Sequence, residues 1–152
     1  MVLGNGASSS SLNMKSGEDK VNSNKNLSVL VVDDDPLIRM LHDMHLKKFG
    51  LNPQVVEDGK KAVDLFRIGA SFDLILMDKE MPVMNGVEAT KELRDMGINS
   101  MIVGVTSRGL EIEMQDFMES GLDFCFEKPL TPDMITFLLN ELNKKNDDDN
   151  ND

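Results

Sequence analysis

The chain has 152 residues, with 27 acidic against 16 basic side chains, a formal net charge of −11 and one cysteine. This length suits one domain with a proper core plus tails, and the acidic balance excludes non-specific nucleic-acid binding, which needs basic surface to displace counterions. A lone cysteine excludes an internal disulfide framework, and no apolar run approaches the roughly 20 residues that cross a bilayer.

In chain order, residues 1–26 are rich in Ser, Asn, Gly and Lys and read as a disordered arm. The arm has no apolar signal core, and Val2 rules out myristoylation despite Gly4. The chain is therefore read as soluble and cytoplasmic, small enough to enter the nucleus by diffusion. The N-x-S match at Asn26-Leu27-Ser28 is then read as chance.

Short apolar or β-branched runs follow at Ser28–Val32, Gln54–Val56, Leu74–Met77, Met101–Val105 and Phe124–Phe126. Helical stretches separate them at Pro36–Phe49, Gly59–Ile68, Gly86–Met96, Leu110–Ser120 and Pro132–Asn143. In the first helix Ile38, Leu41, His45 and Phe49 form the expected inward stripe. Pro36 suits a first turn, and Asp58, Thr131 and Asp133 suit caps or first-turn acids. Gly50, Gly97 and Gly121 mark helix ends. The run from Asn146 to Asp152 reads as a solvated acidic tail; an EF-hand loop would need a Gly and a terminal Glu that are absent there.

Strands alternating with helices imply a doubly wound α/β domain over residues 27–145, because parallel strands need crossover helices. The first and third runs are apolar on both faces, as central parallel strands are. Ligands of such sheets bind beyond the carboxyl ends of the strands. Asp33, Asp34, Asp78, Thr106, Ser107 and Lys128 all fall at those ends.

Three carboxylates in one cleft call for a divalent cation, and Mg²⁺ commonly takes one or two carboxylates plus a phosphate oxygen. Asp34 and Asp78 are the expected direct ligands, Asp33 holds a metal-bound water, and a backbone carbonyl from the turn Lys79-Glu80-Met81-Pro82, that of Glu80 foremost, completes the shell. Asp78, ionised at neutral pH, needs no general base to act as a nucleophile. Thr106 and Lys128 would then bind the oxygens of an incoming phosphoryl group. Pro129 holds Lys128 in an extended turn.

Each element has a plainer reading: Asp33-Asp34-Asp35-Pro36 is often a helix cap with first-turn acids, and Thr-Ser or Lys-Pro alone signals little. Their joint occurrence in order at four strand ends is the informative observation. The segments Val31-Val32-Asp33-Asp34-Asp35-Pro36, Leu76-Met77-Asp78-Lys79-Glu80-Met81-Pro82 with Gly86, Val105-Thr106-Ser107 and Glu127-Lys128-Pro129 resemble response-regulator receiver domains. The strings around Asp78, Thr106 and Lys128 are similar to those of plant type-C regulators, the stand-alone receivers. The resemblance implies a (βα)5 flavodoxin-like fold with strand order 2-1-3-4-5. It implies Asp78 as phosphoacceptor, Asp33 and Asp34 at the Mg²⁺ site, Thr106 as switch hydroxyl and Lys128 facing the phosphate. It further implies a histidine-containing phosphotransfer protein as donor, a hybrid histidine kinase upstream and a cytokinin-type relay. The chain is expected to be a monomer binding neither nucleic acid nor membrane.

Cys125 stands where many receivers carry an aromatic switch, with Phe124 and Phe126 facing the opposite side of the sheet. A small packed cysteine is a plainer reading than a redox sensor. His42 and His45 lack a third ligand, and His45 is read as packed. The methionines are read as core filler, with Val83 and Met84 as an apolar rim for a partner helix. Glu80 and Arg108 are expected to overhang Asp78. After Lys145 the sequence leaves no room for an output domain, so output is expected through protein binding or by draining phosphate from the donor. The chain is not expected to be a conventional enzyme. A haloacid-dehalogenase phosphatase would use Asp33-x-Asp35 but needs a later acidic pair. A flavin module would need a Ser/Thr/Gly-rich loop where this chain has aspartates.

Overall fold

The computed structural model describes residues 27–150. The disordered arm expected over residues 1–26 lies outside the described residues. Five parallel strands pair in the order β2-β1-β3-β4-β5. They are β1 (Val29–Val32), β2 (Gln54–Val56), β3 (Leu74–Asp78), β4 (Met101–Thr106) and β5 (Phe124–Glu127). The crossovers and the final element are α1 (Pro36–Lys48), α2 (Gly59–Arg67), α3 (Gly86–Asp95), α4 (Glu111–Glu119) and α5 (Pro132–Asn150). This is the expected flavodoxin-like topology.

The period-two geometry of the strands divides the core into two layers. Val29 and Val31, Leu74 and Leu76, and Met101, Val103 and Val105 face α1 and α5, meeting Leu46, Ile135, Leu138, Leu139 and Leu142. Leu30 and Val32, Ile75 and Met77, and Ile102 face the opposite layer, where α2, α3 and α4 supply Ala62, Val63, Phe66, Ala89, Leu93 and Phe117. Strands β1 and β3 are buried throughout, which fixes them at the centre of the sheet. On β4, Gly104 leaves room for Phe117: a Cβ there would lie 2.6 Å from its ring and 2.5 Å from Leu122.

Helix starts follow local chemistry. Asp35 caps α1 by accepting the Leu37 N–H at 2.9 Å, with Pro36 in the first turn. Asp58 caps α2 through the Lys61 N–H, and Thr131 accepts the Met134 N–H at α5. Asn85 and Glu88 form a reciprocal capping box at α3.

Two expectations change here. The buried stripe of α1 runs through His42 and Leu46, while Ile38, Leu41, His45 and Phe49 are only half-buried on its flanks. The sheet meets the helix slightly off the arc read from the apolar residues alone, because a polar His42 finds a partner inside. The last helix passes both Asn143 and the boundary drawn at Lys145, so residues 146–150 are helical. No Gly or Pro interrupts it, and the acidic residues there are compatible with an exposed helical extension.

Candidate functional site

The carboxyl ends of β1, β3, β4 and β5 converge on one cleft. Asp33 follows β1, Asp78 ends β3, Thr106 ends β4, and Lys128 follows β5. All four sit in or directly beyond strands of one parallel sheet, at the same edge. The cleft, of about 590 Å³, is lined by Asp34, Asp78, Glu80, Ser107, Lys128 and Pro129, with Ile38 and Leu41 of α1 forming an apolar wall.

Asp33, Asp34 and Asp78 each offer a carboxylate oxygen, and the three lie within 4.8 Å of one another. Asp33 and Asp78 are buried, whereas Asp34 is exposed at the mouth. The Lys128 ammonium lies 2.9 Å from Asp33 Oδ2 and 2.9 Å from Asp78 Oδ1. Asp33 Oδ1 also accepts the Asp35 N–H at 2.9 Å. Asp33 is therefore tied to the lysine as well as to the loop.

Burial pushes the Asp78 carboxyl up to about 7; the hydrogen bond from Lys128 opposes this, and the neighbouring charges of Asp33 and Asp34 reinforce it. The expectation of a fully ionised Asp78 at neutral pH is thus corrected: without a cation the buried, crowded cluster holds its proton unusually well. Burial works against the charge on Lys128, yet its bonds to Asp33 and Asp78 outweigh it and raise the ammonium above its ordinary value. An all-oxygen donor set with excess negative charge, partly open to solvent, fits a hard divalent cation.

The loop after β3 is shaped around Asp78. Gly86 N donates to the Lys79 carbonyl at 2.8 Å, and a Cβ on Gly86 would lie 2.0 Å from the Asp78 carbonyl oxygen. Met84 N donates to Pro82 O at 2.7 Å across Val83, whose φ of 70° is the only positive value at a non-glycine among the described residues. The carbonyls of Lys79 and Pro82 are thus used within the loop, while that of Glu80 has no donor among the described residues. Thr106 is buried, its Oγ1 accepting the Arg108 N–H at 3.3 Å and its carbonyl accepting the Lys128 N–H at 2.8 Å. The Lys128–Pro129 peptide is cis.

Other expectations sort out by geometry. Glu80 lines the cleft, but Arg108 turns toward α4, pairing with Glu113 at 3.5 Å. Val83 is exposed, whereas Met84 packs against the core beneath α2 and α3. The rim envisaged there shrinks to one residue. The exposed apolar stripe is Leu37, Met40 and Met44 on α1. Cys125 is half-buried on the α2–α4 side, and Phe124 and Phe126 face α5, with ring centroids 5.1 and 6.3 Å from Phe137. Burial raises the Cys125 thiol, which suits a packed residue rather than a reactive one. Asp35 is occupied as a helix cap and does not join the three converging carboxylates, so the Asp33-x-Asp35 reading has no second acid in place.

Two contributors escaped the sequence reading. His42 reaches the Leu130 N–H, and Lys79 Nζ donates to the Glu113 carbonyl at 2.9 Å, tying the residue after Asp78 to α4. Both bonds join distant segments, and neither residue type carries a local signal for them.

Fold and cleft together define an α/β domain with an acidic, cation-ready site at the carboxyl edge of its sheet. The chain belongs to the response regulator receiver domain family, which it matches over residues 29–140. It is 55% identical over 120 residues to the two-component response regulator ARR22 of Arabidopsis thaliana, covering 78% of this chain and 84% of the relative. By sequence the chain sides with plant two-component response regulators. The receiver domain of the sensor histidine kinase PA1611 from Pseudomonas aeruginosa, solved with a magnesium ion in its active-site cleft, superposes with a TM-score of 0.68 at 25% identity, covering 76% of this chain and 96% of that one. A structure of the Saccharomyces cerevisiae histidine phosphotransfer protein Ypd1 with the receiver domain of Ssk1 matches with a TM-score of 0.66 at 24% identity, covering 72% and 83%. This last likeness establishes the fold alone. The phosphatase alternative falls away with the family match. No helix among the described residues is long and apolar enough to cross a membrane.

Proposed function

We propose that this chain accepts a phosphoryl group on Asp78 from a phosphohistidine of a histidine-containing phosphotransfer protein, in a Mg²⁺-dependent reaction. The observation that carries this is the Asp78 carboxylate, bound by Lys128 at 2.9 Å and lying within 4.8 Å of oxygens on Asp33 and Asp34. The magnesium-bound relative's cleft supports the cation, and the yeast complex supports the class of donor.

Asp34, Asp78 and the Glu80 carbonyl would hold the ion, with Asp33 orienting its water ligands. Bound Mg²⁺ would neutralise the meeting of two anions and favour the ionised form of Asp78. An Asp78 oxygen attacks phosphorus, an O–P bond forms, the N–P bond to the donor imidazole breaks, and the imidazole leaves with the electron pair. Lys128 then follows the transferred oxygens, helped by the Thr106 hydroxyl, as charge moves outward. Leu37, Met40 and Met44, exposed along α1 beside the Ile38 and Leu41 wall, offer the donor an apolar docking strip. The product leaves either as a signalling phosphoprotein bound by a partner or by hydrolysis, which drains phosphate from the donor.

Incubation with a ³²P-labelled phosphotransfer protein and Mg²⁺ tests this. Label should move to the wild-type chain and not to Asp78→Asn, and chelation should stop it. Transfer to Asp78→Asn at the wild-type rate would end the reading. Rapid donor loss with little retained label marks a phosphate drain; a long-lived phosphoprotein marks a switch. Glu80→Asn should alter the decay of the phosphoprotein.

A further inference from the structure

His42 is the least accountable residue of α1: polar, 2% exposed and turned into the apolar layer beneath the sheet. Its Nε2 accepts the backbone N–H of Leu130 at 3.2 Å, across 88 positions of sequence. The place of that bond matters. Pro129 has no N–H, so Leu130 carries the first backbone donor after Lys128. Lys128 N itself donates to the Thr106 carbonyl at 2.8 Å. The three-residue segment carrying the site lysine is thus pinned at one end to β4 and at the other to α1.

We infer that His42 is a positioning residue for phosphoryl acceptance at Asp78: by anchoring Leu130 it holds Lys128 where one ammonium reaches both Asp33 and Asp78. The inference rests on the reading of Asp78 as phosphoacceptor. The chemistry of imidazole supports the assignment. Accepting at Nε2 requires the neutral ring with its proton on Nδ1. Burial holds His42 down at about 4, only partly offset by the nearby Asp33 charge, so the ring is neutral across the physiological range. Leu130 is 1% exposed, so its N–H would have no ready replacement partner in water.

A purely packing role makes a different demand. Leucine at position 42 fills much of the space but accepts no hydrogen bond, leaving the Leu130 N–H orphaned. Glutamine places Oε1 three bonds from Cβ, as histidine places Nε2, and so restores the acceptor. The test uses the full chain as wild type, His42→Leu and His42→Gln, with acetyl phosphate and Mg²⁺ so that donor docking plays no part.

The expected result is phosphoryl uptake at least tenfold slower in His42→Leu, recovery to within threefold of wild type in His42→Gln, and Mg²⁺ affinity within twofold in both. Amide exchange by NMR should show Leu130 N–H protected in wild type and His42→Gln and at least tenfold less so in His42→Leu. Nitrogen shifts of wild-type His42 should show an unprotonated Nε2, a measurement that stands even where His42→Leu fails to fold. Wild-type uptake in His42→Leu, uptake in His42→Gln as slow as in His42→Leu, Mg²⁺ affinity falling in step with uptake, or a protonated Nε2 in wild type would each overturn the proposal. A wild-type chain that takes up no phosphoryl group, with Leu130 protected and Mg²⁺ bound, instead overturns the reading of Asp78 and the catalytic part of the proposal with it.

Discussion

Lys128 and Asp78 meet at 2.9 Å at the floor of the cleft, and the same ammonium meets Asp33 at 2.9 Å. One cation therefore balances two buried carboxylates, and the site carries a charge excess that a divalent ion or a bound proton must relieve. The consequences are measurable without any donor protein.

The first concerns Asp78 and pH. Its folded-state value of about 7 lies above the ordinary ~3.9 of the unfolded chain, so the native state holds this proton more tightly. The contribution is fully present below about pH 4 and is lost as pH rises through 7. Asp78→Asn, which cannot ionise, should therefore melt higher than wild type at pH 8 without Mg²⁺, by roughly 1–3 kcal/mol, with the gain vanishing near pH 4. Paired thermal melts at both pH values check this. Added Mg²⁺ should stabilise wild type more than Asp78→Asn.

Lys128→Met removes the shared cation and leaves Asp33 and Asp78 facing each other. Breaking a buried pair of this kind costs about 3 kcal/mol at pH 8, and less at pH 5, where Asp78 holds its proton and repels Asp33 less. Urea titrations at the two pH values should show the difference. An equal loss at both would mean that the lysine acts by packing alone.

Gly86→Ala acts on the loop rather than the charge. Its new Cβ would fall 2.0 Å from the Asp78 carbonyl oxygen, and backbone atoms cannot yield as a flexible side chain does. The start of α3 or the end of β3 must move, for a loss on the order of 2–4 kcal/mol together with weaker Mg²⁺ binding. Calorimetry and metal titration on one sample read both effects.

Val83 offers the opposite case. A β-branched residue at φ 70° is strained, and its side chain is 76% exposed, so little packing is lost on replacement. Val83→Asn should stabilise the chain by about 1 kcal/mol, because asparagine tolerates the left-handed region. A melting temperature at or below wild type would show that the loop gains from valine in some other way.

The strand and helix pattern was legible because each element carries its own period and its own punctuation. Central strands β1 and β3 announce themselves by unbroken apolar runs, and Asp35, Asp58 and Thr131 by their place before helices. The helix boundary past Asn143 was misread because charge and polarity look like a tail, while the absence of Gly and Pro leaves the helix free to run on to Asn150. The inward arc of α1 was misread because His42, a polar residue, occupies a buried position that an apolar pattern assigns elsewhere.

Sequence alone determined the doubly wound α/β class and the set of acidic, hydroxyl and basic side chains at the strand ends, since parallel strands joined by helices must deliver those ends to one edge; the strand order came only with the family resemblance. Only the tertiary structure decided how they interact. That Lys128 spans two carboxylates, that Asp78 keeps its proton toward neutrality, and that His42 holds the lysine's loop from 88 positions away all depend on distances between segments that no local pattern encodes. Burial and proximity set the electrostatics of the Asp78 cleft, and both arise only when the sheet closes its core.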